Sequence, residues 1–467
     1  MQRVAIIGGG ISGLSAGFYA KKFNPIINLH IYEGNKIGGW IQTTQKNGFI
    51  TENGPRNFRF NSKVVPLLNI VNDIGIIDQV LCADTQDSQM QIRTKGEFID
   101  VMPSGNMKVL KVLLNFPLYR RVIFSNLFSN LFRKSKEKEV ITQEYDLSLK
   151  DFIEKFIYFS NEEDKDFIVN ILTDSFVQGI YFGDISKLSA RFCYPFSQIF
   201  KKSLQIKFEN HSLMNDIETS SDDILDLVNQ ASQKNSNCMN FVGGMTVLPN
   251  AIYRHLNRQK NFKLIKETVQ SIEIKDNKPL LNTESGSFEY DHVISTVPAK
   301  SLKKILGGKI PEIGQICDKI PHNSLKNVSL GFENLNVKGA GYIIPSREQN
   351  AISSVLFDSC SFPYLRNTVS LMGPLTSPTE KMIEDFITHT GTKEQIIHTN
   401  VVECIEALPQ YNVKHHLLIE EVQKLSPSWL SVSGQSFYLS GIQNCIIQSR
   451  DLVSKLFLDK VLKNPLL

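Results

Sequence analysis

Apolar and polar positions change their period several times along the chain, and each change predicts an element. Val4 to Ile7 is a short β-branched run ending in glycine, the pattern of a buried parallel strand. Ser12 to Phe23 spaces Leu14, Phe18 and Phe23 along one side of a helix. Ile26 to Tyr32 supplies a second strand. Residues 201–240 are polar and irregular and read as a surface insertion with one short helix. Beyond them, "FVGGMTVLPNAIYRHL" predicts a turn at Gly243-Gly244 and a helix from about Leu248. "FKLIKETVQSIEI" predicts an alternating strand around Val269, and "HVISTVP" a buried strand. After a β-rich middle, "SFYLSGIQNCIIQSRDLVSKLFL" turns on glycine into a long amphipathic helix. The α/β character thus returns at the start, near 240–300 and at the end. One domain assembled from separate segments, with others inserted, explains this better than three independent domains.

The first unit carries candidate chemistry. Gly8, Gly9, Gly10, Ile11, Ser12 and Gly13 fit G-x-G-x-x-G between strand and helix, and Glu33 follows at the end of the second strand. In a dinucleotide site, Gly8 allows the tight turn, Gly10 lets the backbone approach a pyrophosphate, and Gly13 lets helix and strand pack closely. The helix N-terminus offers free N–H groups to the phosphates. Glu33 would accept from a ribose hydroxyl, and its charge disfavours the 2′-phosphate of NADP. The glycines alone would suit a bare βα turn, but the whole unit is the confirming context. The pair Gly38-Gly39 lets another backbone segment close on a longer, bent cofactor, which tilts the choice from NAD to FAD.

Composition narrows the field modestly. With 467 residues the chain can build two or three domains, and a net charge of +4 without a basic stripe speaks against nucleic acid. The seven cysteines (82, 193, 238, 317, 360, 404 and 445) form no metal or disulfide spacing, so reduced structural thiols are expected. No H-E-x-x-H occurs, His415-His416 being the one adjacent pair, and no metal site is expected. The fingerprint begins at residue 2 or 3, so any targeting is expected to lie in the body of the chain. No apolar run reaches eighteen residues, and no membrane-spanning helix is expected. Val101 to Lys136 holds no acid against seven basic residues (Lys108, Lys111, Arg120, Arg121, Arg133, Lys134, Lys136), and Phe124, Leu127, Phe128, Leu131 and Phe132 repeat at helical spacing. Two readings stay open there: a core helix with solvated ends, or an amphipathic surface entering a headgroup region.

Taken together, "IGGGISGL", "GGWI", "ENGPRNFR", "FVQGIYFGDISKLSARFCYPF", "GGMTVLPNAI", "VISTVPA", "GYIIPSRE", "LPQYNVKH" and "GQSFYLSGIQNCI" resemble the oxygen-dependent protoporphyrinogen oxidase family, of the mitochondrial type, over nearly the whole chain. The first two motifs are shared by many flavin amine oxidases and desaturases. The Gly-Pro-Arg and Gly-Ile-Tyr-Phe-Gly-Asp stretches are closer to this one family. The resemblance implies an α/β architecture: a Rossmann-like FAD-binding domain from residues 1–84, 241–300 and 431–467, a mixed-β substrate domain from 85–98, 192–240 and 301–430, and a helical membrane-associating domain at 99–191. For FAD it implies Gly8 to Gly13 at the pyrophosphate, Glu33 and Gly34 at the ribose, and Val269 at the adenine. Trp40 and Gly54-Pro55-Arg56-Asn57 would pass beside the flavin, with Gln435 and Ser440-Gly441-Ile442 closing over phosphates and ring. For substrate it implies Gly179 at the porphyrinogen nitrogens and Ile343 and Met372 around the macrocycle.

This chain departs from the family pattern in three places. Leu439-Ser440 stands where Gly-Val is usual, and Ala340 where an aromatic precedes "GYIIP". A propionate-anchoring arginine falls on Gln91, with Arg93 on the same strand face as its substitute. Taken singly, each residue also has a plainer reading. Pro55 would shape a turn, Arg56 make a structural ion pair, Gly179 serve a loop needing positive φ, Ile343 and Met372 fill a core, and Trp40 pack.

The resemblance implies three successive two-electron oxidations of protoporphyrinogen IX by FAD, with dioxygen as acceptor and hydrogen peroxide as product. No side-chain acid, base or nucleophile is assigned. It further implies a peripheral place on the mitochondrial inner membrane, facing the intermembrane space, and allows a homodimer and a hand-off to ferrochelatase. Rival expectations are a coproporphyrinogen-oxidising relative, a carotenoid-type desaturase, a non-catalytic flavin binder and a simple NAD-binding dehydrogenase. The last leaves Gly38-Gly39 and the Gly-Pro-Arg turn unexplained.

Overall fold

In the computed structural model, five parallel strands stand in the order Phe262–Ile265, Asn28–Tyr32, Arg3–Ile7, His292–Ser295 and Leu430–Val432. Residues 2–61, 63–83, 90–100, 146–193, 221–234, 236 and 238–462 are described; the stretch 101–136 and most of 201–240 lie outside them. The central strand is apolar from Val4 to Ile7 because both its faces are covered there. Val4 and Ile6 enter one core with helices Ile11–Phe23 and Val247–Asn257. Ala5 and Ile7 enter a second core, which includes the antiparallel strands Ser271–Lys275 and Lys278–Thr283. Val4, Ala5 and Ile6 are wholly buried, and each branched side chain so covered contributes roughly 1.5–3 kcal/mol.

Three local expectations change. The second strand starts at Asn28, and Ile26 is 68% exposed. Its place is fixed by the buried Lys21 amine, which donates to the carbonyls of Pro25, Ile27 and Lys260 and so closes a turn there. The strand expected around Val269 divides into Phe262–Ile265, paired with Asn28–Tyr32, and Ser271–Lys275, paired with Lys278–Thr283. Val269 lies buried in the crossover between the two sheets. Helix Asp222–Gln233 is no surface ornament either. Ile224, Leu227 and Ala231 join the first core.

A seven-stranded mixed sheet forms the second body, in the order Ile396–Pro409, His322–Phe332, Thr368–Pro374, Ser354–Leu356, Gly341–Ile343, Met90–Thr94 and Glu97–Asp100. Alternation divides its side chains between two faces. Val328, Leu371, Val355 and Tyr342 occupy one register row, and their face packs with Met382 and Phe386 of helix Thr379–Thr390. The adjacent row, Val402, Asn327, Met372, Ser354, Ile343 and Ile92, faces the other way.

Helices Leu149–Phe156, Glu162–Asp166 and Asp174–Tyr181 follow one another, and the last meets that second face at Gly179. Between the last two, Phe167–Thr173 is a π-helix, where the Thr173 hydroxyl donates to the Ile168 carbonyl five residues back at 2.7 Å. The extra width puts Ile171 against Ile343 and Ile92. Seams of this kind often border functional sites.

Candidate functional site

The glycine turn lies at the carboxyl end of the central parallel strand, where open α/β sheets bind ligands. Gly8 has φ +106°, and a Cβ on Gly13 would lie 1.9 Å from the Gly8 carbonyl oxygen. Only glycine permits this turn and this approach of helix to strand. The helix from Ile11 has no side-chain cap and no acid in its first turn, so its leading amides and positive end are left for an anion. Glu33 stands beside them. The Gly9 amide donates to its Oε2 and the Asn35 amide to its Oε1, each at 2.7 Å. Gly38 closes from the opposite side, its amide donating to the Gly9 carbonyl at 2.9 Å.

The other predicted cofactor positions arrive from distant segments. Gly34 packs so tightly on Thr268 that a Cβ would meet its hydroxyl at 1.9 Å, which brings Val269 to the Glu33 end. Helix Ile442–Leu462 lies along the first helix, and Ser449 donates to the Ser12 carbonyl at 2.8 Å. Gly441, at φ +103°, sets the entry to that helix, and Ile442 is buried in the first core. The Ser440 carbonyl accepts from the Asn444 amide, and the Gln435 carbonyl from the Tyr411 hydroxyl. The Gln435 side chain is turned onto the Ala407 carbonyl at 3.0 Å. Trp40, 36% exposed, holds its carbonyl against Gly54, where a Cβ would sit 1.9 Å away. The half-buried Pro55 and Asn57 flank Arg56, ahead of strand Phe58–Arg59. A narrow glycine cradle, uncapped amides and a ribose-height carboxylate fit the adenosine diphosphate half of FAD, with Gly54 to Asn57 continuing beyond it.

Arg56 joins this region to the mixed sheet. Its guanidinium donates to Asn327 Oδ1 at 2.8 Å, meets Met372 Sδ at 3.9 Å and pairs through Nε with Asp358 Oδ1 at 3.3 Å. Asn327 in turn donates to the Glu52 carbonyl at 3.1 Å. Burial raises the Asp358 carboxyl, an effect opposed by the Arg56 charge and by the Ser370 hydroxyl at 2.5 Å. Glu52 is pushed up to about 7 by burial, although the Met245 amide and Thr43 hydroxyl donate to it and Arg56 is near. Two buried acids thus share one buried cation. The plain reading of Arg56 as an ion-pair residue holds, beside whatever else it contacts.

The substrate positions divide. Gly179 lies inside helix Asp174–Tyr181 rather than in a loop, and a Cβ there would stand 2.9 Å from Ile343 Cγ2. Helix and strand therefore touch at Gly179 and Ile343, and Met372 lies in the same row, one strand beyond Ser354. Arg93 does not join them. Ile92 takes the inward place, so period-two alternation sends Gln91 and Arg93 to the far face. There Gln91 donates to Asp100 at 2.8 Å, and the Arg93 guanidinium lies 6.0 Å from the Phe98 ring centre. The expected propionate anchor is thereby corrected.

Asp358, Asn327 and Glu52 were not singled out from sequence. Glu52 had a signal, since it opens the quoted "ENGPRNFR" stretch four residues before Arg56. Asn327 and Asp358 had none, because they reach Arg56 from a strand and a short helix some three hundred residues away.

Comparison with known proteins gives the family and the fold. The family model described as flavin containing amine oxidoreductase matches residues 11–385. Among curated proteins, the chain is similar to the protoporphyrinogen oxidase of Bos taurus, 24% identical with 97% of this chain and 98% of that protein covered. It is similar also to the coproporphyrinogen III oxidase of Bacillus subtilis, 26% identical with 97% of each covered. Among solved structures, one from Exiguobacterium sp. 255-15 superposes with a TM-score of 0.74 at 18% identity, covering 98% of this chain and 99% of that one. Reduced UDP-galactopyranose mutase gives 0.66 at 15% identity, covering 100% and 98%.

Proposed function

The chain belongs to the flavin containing amine oxidoreductase family and is an FAD-dependent oxidoreductase, and we propose that it oxidises protoporphyrinogen IX to protoporphyrin IX in haem biosynthesis, with dioxygen as acceptor and hydrogen peroxide as product. The observation that carries the reading is the row Asn327, Met372, Ser354, Ile343 and Ile92, faced at Ile343 by Gly179 and reached from the glycine cradle through Gly54 and Arg56. A row five strands wide suits a flat macrocycle. None of its five side chains titrates, so the row supplies shape and water exclusion rather than proton transfer.

Each part of the chain has a separable task. Gly8 to Gly13, Glu33, Gly34, Val269, Gln435 and Ser440 to Ile442 would hold FAD, and Trp40 with Gly54 to Asn57 would line its far end. When bound, FAD supplies a two-electron acceptor suited to removing hydrogen from carbon. Gly179, lacking a side chain, leaves the helix backbone open to approach. Ile92, Ile171 and Ile343 keep that side dry. Arg56, neutralised by Asp358, fixes the seam between the two bodies.

The proposal extends to a peripheral place on the mitochondrial inner membrane, facing the intermembrane space, with a homodimer and product transfer to ferrochelatase compatible with it. It is supported by the acid-free, cation-rich stretch 101–136. No helix among the described residues is long and apolar enough to cross a membrane. The test is to purify the chain in mild detergent, record its flavin spectrum and add protoporphyrinogen. Anaerobic bleaching, then aerobic porphyrin fluorescence matched by peroxide, is the expected result. A bound flavin that no porphyrinogen bleaches would overturn the reading.

A further inference from the structure

Beside the apolar row, along the direction of the strands, a solvent-open cleft of about 480 Å³ separates helix Asp174–Tyr181 from one end of the mixed sheet. Asp174, Gln178 and Phe182 come from the helical side, spaced four apart as on one helix face, and Asp184 follows just past its end. Asn323, Ser346 and Pro374 come from the sheet side. Phe182 packs in one cluster with Met372 and Leu325, so the cleft adjoins the row directly.

Two carboxylates, Asp174 and Asp184, line this mouth. Asp174 is held by the Ser346 amide at 2.6 Å, and burial raises its carboxyl. Burial would raise Asp184 too, but the hydroxyl and amide of Ser186, with Lys187 nearby, hold it below the usual carboxylate range. Of the nearby cations, Lys187 lies 3.5 Å from Asp184 in an exposed pair that water screens and so offsets only part of its charge. Arg347 grips both oxygens of Asp166 at 3.0 and 2.8 Å. At the other end of the row Arg56 is paired with Asp358, and Arg93 is on the far face. Among the described residues, no cation lines the cleft.

We infer, resting on the porphyrinogen reading above, that Asp174 and Asp184 are specificity-determining residues which turn away any macrocycle edge bearing a carboxylate. The site accordingly takes a porphyrinogen whose carboxylate-free edge faces the cleft, with its body against the apolar row. A two-carboxylate porphyrinogen, with both acids on adjacent rings, can present its bare edge to the mouth. A four-carboxylate porphyrinogen carries an acid on every ring and cannot. Two carboxylates brought within a few ångströms at a protein surface repel strongly enough to cost roughly tenfold or more in binding.

The test compares three porphyrinogens on the flavin-loaded protein in mild detergent: the two-carboxylate form, its dimethyl ester and the four-carboxylate form. Binding of the corresponding porphyrins is titrated separately by fluorescence. Expected are turnover and binding of the diester comparable to those of the diacid, and a markedly poorer tetra-acid. The D174N/D184N double variant, whose amides keep the acceptor oxygens for Ser346 and Ser186, should raise the tetra-acid to diacid ratio of kcat/KM and of affinity about tenfold. D184N alone, at a half-exposed rim position, covers the case in which the double variant folds poorly. A diester that neither binds nor turns over, or a wild-type protein indifferent to carboxylate number, would overturn the inference while leaving porphyrinogen oxidation intact. Failure of all three to bleach the flavin would overturn both.

Discussion

The glycine cradle and the mixed-sheet row are built on different principles, though only Arg56 and its partners separate them. The cradle recognises its ligand with backbone: amides, a close approach at Gly13, and one carboxylate, Glu33, held by two more amides. The row recognises with side chains delivered by five strands, and its one conspicuous charge is cancelled by Asp358. A backbone site tolerates almost no added atom, because the chain itself is what a new atom would strike. A side-chain row tolerates substitution in shape but depends on distant residues to keep its buried charges paired.

The largest expected effect comes from breaking the cradle. Gly13→Val places a branched side chain where even a Cβ meets the Gly8 carbonyl at 1.9 Å. Loss of flavin by about a hundredfold or more in affinity is expected, read as the visible absorbance per mole of protein, with circular dichroism showing the mixed sheet still folded. Flavin retained at wild-type stoichiometry would contradict the steric account.

Next comes the seam. Asp358→Asn leaves the Arg56 charge buried without its counter-ion, which costs about 3–5 kcal/mol where such a pair is broken from one side. Denaturant midpoints measure it. Substituting both partners by apolar residues of similar volume should recover most of the loss, and no recovery would mean that Arg56 has another essential contact.

The smallest of the three effects is a pH dependence at Glu52. Its folded carboxyl titrates at about 7, above the ordinary value of 4.5, so the folded protein holds its proton longer than the unfolded chain does. Stability from this group is therefore full below about pH 4.5 and is lost as pH rises toward 7. The loss is on the order of 1–3 kcal/mol. Glu52→Gln should flatten that slope, measured as unfolding free energy at pH 5 and pH 8, and an unchanged slope would remove Glu52 from the account.

How much of this could be read beforehand follows from the same contrast. Gly8 to Gly13 and Glu33 were legible because strand, turn, helix and acid are contiguous, and the structure puts them within one βαβ unit. Ile343, Met372 and Gly179 were legible through resemblance alone, since a helical glycine and two core residues have no local signature. Arg93 misled because alternation sets a face only once the neighbouring strand is known, and it is Ile92 that packs with Ile343. Val269 was expected within a strand because apolar alternation continues through it, but the chain changes sheets there. Asp358 and Asn327 could not be anticipated at all. Their partner is chosen by the packing of the strand His322–Phe332 and the short helix Asp358–Ser361, which meet Arg56 only in the folded molecule.

The pairing of the first helix with Ile442–Leu462, sealed between Ser12 and Ser449, has a consequence for how the protein is made. Among the described elements the strand Arg3–Ile7 is synthesised first, and one of the helices that covers it, Ile442–Leu462, last. At translation rates of about 5–20 residues per second, the opening strand waits from roughly half a minute to a minute and a half for that cover. During this interval Leu14 and Ile6 have no complete core to enter, and the nascent chain has a standing need for a holding partner. Loading of the cofactor is thereby deferred until Ile442–Leu462 has emerged, which makes that helix the checkpoint between translation and redox competence.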